Sequence, residues 1–264
     1  MLIQRFVSVH TELEHLNEEL EDRVARRTGE LRDSLKEKDR ILGIVAHDLK
    51  NPIGAIKVTT DLIQMDYNDN RMESIEEYLG IIYEAVHQSM ENIEALLSMA
   101  RLDEMDVSLN TEKVDLASFL NSFLSLYEVQ AREKQITFTH QIPQEAMIVS
   151  INKSMFTRVI DNLLSNALKF TPANGKVNLQ TSSSSDTIQI SITDSGIGIP
   201  DTLQERVFQR FGPAGRPGTR NEKSTGLGLS IVKTIVEKHG GKVWLKSQEG
   251  IGSTFFVEIP SGAD

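Results

Sequence analysis

Residues 161–171 read Asp161-Asn162-Leu163-Leu164-Ser165-Asn166-Ala167-Leu168-Lys169-Phe170-Thr171. Ile160, Leu163, Leu164 and Ala167 recur at helical spacing, so one side of this segment turns toward a core. Asn162, Asn166 and Lys169 follow one another by four and three residues and share a different face. Two amides and an ammonium there make either a solvated surface or part of a polyanion site. In the second case Asn166 offers a neutral oxygen to Mg2+ and Lys169 offers positive charge to a phosphate.

The segments around this helix supply a sheet for it to cover. Strands are expected over 114–116, 136–140, 176–181, 187–193, 242–247 and 253–259, and helices over 117–133, 155–170 and 227–239. Residues 181–186 read as a polar hairpin, and Glu249-Gly250-Ile251-Gly252 as a turn. Helices mixed with an antiparallel or mixed sheet give an α/β sandwich.

Two glycine turns flank the opening stretch. Asp194-Ser195-Gly196-Ile197-Gly198-Ile199-Pro200 follows a strand; its glycines permit close backbone approach or positive φ, and Asp194 can accept a hydrogen bond from an adenine amino group. A tight strand exit is the plainer alternative. Gly226-Leu227-Gly228-Leu229-Ser230 opens a helix, where free amides and the helix dipole favour a phosphate. Glycines that merely ease a loop into a helix would look the same. The Asp194 turn is neither a dinucleotide fingerprint nor a P-loop, since the terminal Gly-Lys-Ser/Thr is absent.

The first hundred residues have another texture. Leu13, Leu16, Leu20, Val24, Thr28, Leu31, Leu35, Lys38, Leu42, Val45 and Leu49 form a heptad seam with a four-residue stutter near Val24. So narrow a stripe on a charged helix calls for a partner helix. Pro52 predicts a kink just after Asn51, and the polar run 67–71 predicts a break. Met72, Ile75, Leu79, Ile82, Val86, Ile93, Leu97 and Ala100 then define a second long helix. Two such helical hairpins can bury their stripes in a four-helix bundle. The boundary with the α/β part falls between Arg101 and Thr111.

His47 sits off the seam in Ala46-His47-Asp48-Leu49-Lys50-Asn51-Pro52. An imidazole nitrogen attacks phosphorus if its lone pair is free and the proton on the other nitrogen is held or taken by a carboxylate. Asp48 is adjacent, and Asn51 lies one turn away on the same face, where its amide could orient a water. Taken alone, His47 is equally an exposed or capping histidine. His10, His15, His87, His140 and His239 form no metal-ligand spacing.

A formal charge of -10 argues against nucleic acid and anionic membrane surfaces as partners. The absence of cysteine excludes disulfides, thiolate nucleophiles and zinc-thiolate sites, and fits a reducing compartment. No stretch reaches the roughly 18 to 20 apolar residues a membrane span needs. The expected location is cytoplasmic, with membrane association only through an absent upstream region or a partner.

Together these segments resemble two-component sensor histidine kinases. The stretch around His47 resembles their phosphoacceptor motif, and the three later segments resemble their ATPase domain, related to those of gyrase, heat-shock chaperones and mismatch-repair proteins. The resemblance covers most of residues 35–260. It implies an all-α helical hairpin forming a dimeric four-helix bundle, followed by a Bergerat-type α/β sandwich ATPase domain. The domains it implies are a signalling coiled-coil linker over 1–40, a dimerisation and phosphoacceptor domain over 41–106, and an ATP-binding catalytic domain over 107–264.

The implied activity is ATP-dependent autophosphorylation of His47 and transfer to an aspartate of a response regulator. Asp48 would assist as base and Asn51 would serve a response-regulator phosphatase reaction. ATP and Mg2+ are the implied cofactors, with Asn162, Asn166 and Lys169 holding Mg2+-ATP, Asn166 as metal ligand and Asp194 as the adenine contact. Gly196 and Gly198, and then Thr225, Gly226, Leu227, Gly228 and Leu229, would cradle the nucleotide. The implied partners are a second copy of the chain, a receiver domain and an upstream sensory domain or sensor protein.

Phe208 and Phe211 match the family's aromatic segment before a mobile lid. Many relatives continue with an aromatic and a basic residue, where this chain has Gly212 and Pro213, followed by Arg216, Arg220 and Lys223. One of those bases would meet the γ-phosphate. The altered lid keeps open a dimeric scaffold without effective transfer, and a Ser/Thr kinase of related fold is the other alternative.

Overall fold

The computed structural model describes residues 2–68, 74–104, 109–184, 186–209, 219 and 226–262. Its contacts divide the chain into two units, Met1–Gly54 and Ala55–Asp264.

The first unit is helical and belongs to α1, Leu2–Asn68. α1 continues through Pro52, beside the position after Asn51 where a kink is expected, as far as Asn68. Proline removes one hydrogen bond from a helix, but good apolar periodicity on both sides lets the helix resume. Leu16, Leu20, Val24, Leu31 and Leu35 on the heptad seam are 52% to 63% exposed. Among the described residues these five side chains are left largely uncovered in a single chain. The side chains of Leu13, Leu42 and Val45 lie outside the described residues.

In the second unit the end of α1 is joined to α2, Ile75–Glu104, by a hydrogen bond of 2.9 Å from Tyr78 Oη to an Asp66 carboxylate oxygen. The α/β part follows. Its elements are β1 (Glu112–Asp115), α3 (Leu116–Glu133), β2 (Thr137–Gln141), β3 (Ile148–Ile151), α4 (Lys153–Phe170), β4 (Lys176–Ser183), β5 (Thr187–Asp194), α5 (Asp201–Gln204), α6 (Gly228–Lys238), β6 (Lys242–Gln248) and β7 (Gly252–Pro260). Five strands form a sheet in the order β2-β4-β5-β7-β6, antiparallel except for the β2–β4 pair. The expectation of helices with a mixed sheet is met.

The core lies between that sheet and α3, α4 and α6. Ile188, Ile190 and Ile192 alternate inward along β5, and Val177, Leu179, Val257 and Ile259 join them from β4 and β7. Phe156, Ile160, Leu163 and Leu164 of α4 meet this layer and are at most 1% exposed. Each buried side chain of this size contributes about 1.5–3 kcal/mol relative to leaving it in water. On the opposite face of the sheet, Trp244 stacks on Phe256 with ring centroids 5.2 Å apart and planes at 10°.

One strand was not expected. Ile148–Ile151 pairs antiparallel with β1 in a separate two-stranded sheet, and at four residues it is too short to show period-two patterning. The first helix of this part opens at Leu116, inside the stretch expected to be strand, because Asp115 caps it by accepting from the Ala117 and Ser118 amides. Among the described residues no helix is long and apolar enough to cross a membrane.

Candidate nucleotide site and phosphoacceptor helix

The alternation along β5 ends in a carboxylate. Asp194 takes the next inward position after Ile192, and only 6% of it is exposed. One of its oxygens, Oδ1, accepts the amides of Gly196 at 2.8 Å and Ser253 at 3.3 Å. Burial pushes its pKa from the ordinary 3.8 up to about 6, against the pull of those two amides. Among the described residues Oδ2 has no partner, so it remains available to a donor.

The glycines of this turn are used against the protein itself. A Cβ at 196 would strike the Phe170 carbonyl, and one at 198 the Gln248 carbonyl. Gly198 also has φ +65°, which favours glycine. The turn is thereby pressed onto the end of α4 and onto the β6–β7 turn, where Gly250 N donates to Ile197 O at 2.8 Å.

On α4, Asn162, Asn166 and Lys169 are all half-buried. Asn162 turns its amide nitrogen back to Arg158 O at 2.8 Å and lays its Oδ1 against Gly228, where a Cβ would collide with it. Asn166 has no side-chain hydrogen bond among the described residues. Lys169 Nζ lies 5.9 Å from the centre of the Phe170 ring. The rotation of α4 is held from behind by Tyr127 of α3, which donates to Asp161 at 2.8 Å. Burial raises the pKa of Asp161, the Tyr127 bond opposing it.

The start of α6 meets Asn162 through Gly228. Gly226 has φ +67°, and Leu227 at the N-cap makes no side-chain cap bond. By contrast Asp115 caps α3 and Asn152 caps α4. Amides at a glycine-led helix start suit an anion. Phe208 packs edge-on against Phe255, with ring centroids 6.4 Å apart. Leu227 is 3% exposed and serves the core, while Leu229 is half-buried. Phe211, Arg216, Arg220, Lys223 and Thr225 lie outside the described residues.

On the phosphoacceptor helix, His47 is exposed and Asn51 stands one turn on, its amide nitrogen 3.5 Å from His47 Nδ1. The side chain of Asp48 lies outside the described residues. The residues sequence reasoning missed are Ser253 and Thr219. Ser253 reaches Asp194 only through the β5–β7 register, and Thr219 bonds the end of α4 from 48 to 50 positions away. Neither has a local sequence signal.

A buried carboxylate at a strand exit, a polar face on α4 and an uncapped glycine-led helix define a domain of the nucleotide-binding α/β class, joined to a helical hairpin. Comparison with known proteins agrees. Residues 152–263 match the family "Histidine kinase-, DNA gyrase B-, and HSP90-like ATPase", and residues 37–104 match the "His Kinase A (phospho-acceptor) domain".

Hybrid signal transduction histidine kinase D of Dictyostelium discoideum is 34% identical over 90% of this chain and 16% of its own length. Sensor histidine kinase WalK of Bacillus subtilis is 29% identical over 85% of this chain and 37% of its own. This chain therefore spans well under half the length of either relative. The solved catalytic domain of histidine kinase ThkA is 30% identical with a TM-score of 0.52, over 58% of this chain and 99% of that one. ThkA in complex with response regulator protein TrrA gives 26% and 0.68, over 87% of this chain and 64% of that one. The chain belongs to the histidine kinase family and carries both the phosphoacceptor and the ATP-binding domain of its catalytic core.

Proposed function

We propose that this chain binds ATP, transfers its γ-phosphoryl group to Nε2 of His47, and passes that group to an aspartate of a response-regulator receiver domain. The observation that carries the reading is Asp194. A carboxylate at a core-facing strand position, with one oxygen satisfied by two amides and the other not, is unfavourable in an empty fold and suited to an adenine amino group.

The remaining roles follow from the residues. Asn166, with its amide uncommitted, would be the Mg2+ ligand, and Lys169 and the amides at the start of α6 would face the phosphates. Mg2+ held there would supply positive charge to the phosphates. Among the described residues no cluster of acidic residues, histidines or cysteines could hold a metal by itself, which suits an ion held mainly through the nucleotide. Gly196, Gly198, Gly226 and Gly228 would shape the cradle, to which the stretch after Phe208 would add Phe211, Arg216, Arg220, Lys223 and Thr225.

At His47 the Nε2 lone pair forms the N–P bond as the bond from phosphorus to the β,γ-bridging oxygen of ATP breaks and ADP leaves. The proton on Nδ1 must then be held by a neighbour. As placed, the Asn51 amide nitrogen faces Nδ1 at 3.5 Å; a half-turn of that amide would instead present its oxygen to the Nδ1 proton. Asp48, adjacent in sequence, is the proposed base that takes the proton. Asn51 would also orient water in the phosphatase reaction.

The domains are proposed as 1–40, 41–106 and 107–264, and two chains as a four-helix bundle. The exposed stripe on α1 supports that pairing, as do Leu79, Val86, Met90, Ile93 and Leu97 on α2, which are 42% to 58% exposed.

Incubation with Mg2+ and γ-labelled ATP tests the reading. The expected product is acid-labile label, absent from His47→Ala and reduced at least a hundredfold in Asn166→Ala. Acid-stable label, or label persisting in His47→Ala, would overturn it.

A further inference from the structure

α4 ends at Phe170, and its C-cap Thr171 is extended with φ -93° and ψ 126°. The last carbonyls of a helix have no partner within it, and Pro172 follows, so no left-handed cap turns back to supply one. Two outside partners share the task. The Phe170 carbonyl accepts Ile197 N at 3.1 Å, from the glycine turn after Asp194. The carbonyls on either side go to Thr219, whose N and Oγ1 each donate to Lys169 O at 3.0 Å, while Oγ1 also reaches Thr171 O at 3.3 Å.

This arrangement joins two parts of the nucleotide site that are distant in sequence. Lys169 closes the polar face begun by Asn162 and Asn166, and its own carbonyl is the one Thr219 holds. In sequence Thr219 also falls within the stretch between Phe208 and Gly226 that contains Arg216, Arg220 and Lys223.

We propose that Thr219 is a positioning residue: by closing the carbonyl end of α4 it fixes the backbone from which Lys169 extends, and so raises affinity for the phosphates of ATP. The proposal rests on the reading of this site as an ATP site. It separates the two ends of the ligand, because Asp194 and the Phe170–Ile197 bond stand without Thr219. Thr219 is exposed, so water replaces part of what its removal takes away.

The test compares Thr219→Val, which keeps the shape and the N–H but loses the hydroxyl, with Thr219→Ser. Binding of Mg2+-ATP is measured by calorimetry and binding of adenosine by NMR titration, with unfolding midpoints alongside. Thr219→Val is expected to bind Mg2+-ATP about three- to tenfold more weakly, the effect of one modest hydrogen bond. Adenosine affinity and the unfolding midpoint stay as in the unsubstituted chain, and serine restores the ATP affinity. Unchanged ATP affinity in Thr219→Val, an equal loss on both ligands, or failure of serine to restore it would overturn the proposal. If the unsubstituted chain binds no ATP, the function itself falls, a result readily told apart from the others.

Discussion

Asp194 occupies a position that β5 otherwise gives to isoleucine. An ionised carboxylate there is penalised by burial, and two amides on one oxygen only partly compensate. Because its folded-state pKa is raised to about 6, the proton is held more tightly in the fold than in the unfolded chain. The favourable contribution is therefore complete below the unfolded value of 3.8 and is lost as pH rises through about 6. At pH 7.5 the ionised carboxylate therefore costs the fold up to about 3 kcal/mol.

Asp194→Asn should accordingly unfold at higher temperature than the unsubstituted chain at pH 7.5, with the advantage gone at pH 4, while ATP binding falls at least a hundredfold. Calorimetric melting at the two pH values checks this. A variant no more stable at pH 7.5 would contradict it. Sequence reading places Asp194 at a strand exit between glycines, which is local information. It cannot see Ser253, because the pairing of β5 with β7 spans 59 residues. Nor can it see that the Phe170 and Gln248 carbonyls sit where Cβ atoms at positions 196 and 198 would be.

At the scale of elements, the N-terminus of α4 is joined to the C-terminus of α6. Asn152 caps α4 by accepting Met155 N at 3.1 Å, and its side chain also donates to Asn110 O at 3.0 Å. Its backbone N–H donates to His239 Nε2 at 3.0 Å, while His239 Nδ1 lies 2.7 Å from Ile235 O. Both contacts are satisfied only by the neutral ring with its proton on Nδ1.

Burial lowers the His239 pKa, against the Ile235 bond. Its contribution to stability is then full above 6.5 and declines as pH falls through the lower folded-state value. Asn152→Ala should destabilise the domain by about 1–2 kcal/mol. His239→Gln, which cannot gain the charge, should lose less stability than the unsubstituted chain between pH 7 and pH 5. Urea titrations at both pH values measure this, and an equal loss would count against the His239 account.

The elements themselves were mostly legible. Long amphipathic helices announce their period over many turns, and β4, β5 and β7 alternate over eight or nine residues. Ile148–Ile151 was not legible, since four residues hold too few alternations.

For the whole molecule, the change of texture near residue 107 shows two kinds of architecture on one chain, and the matched families fall on either side of it. The exposed heptad stripe has a direct consequence for assembly. A leucine more than half exposed on an otherwise charged helix is stabilised by a second helix bearing the same stripe. Sedimentation equilibrium should find a dimer, and Leu20→Glu combined with Leu31→Glu should weaken it at least tenfold. A dimer indifferent to both changes would move the interface elsewhere.

Trp244 is the chain's sole tryptophan, and it lies on the outer face of the sheet, stacked flat on Phe256. Intrinsic fluorescence excited at the indole edge consequently reports the sheet and is blind to the long helices, whereas far-UV circular dichroism is dominated by those helices. The protein thus carries a built-in pair of spectroscopic channels, and the separation of their melting curves reads directly how far its helical and sheet parts unfold as one.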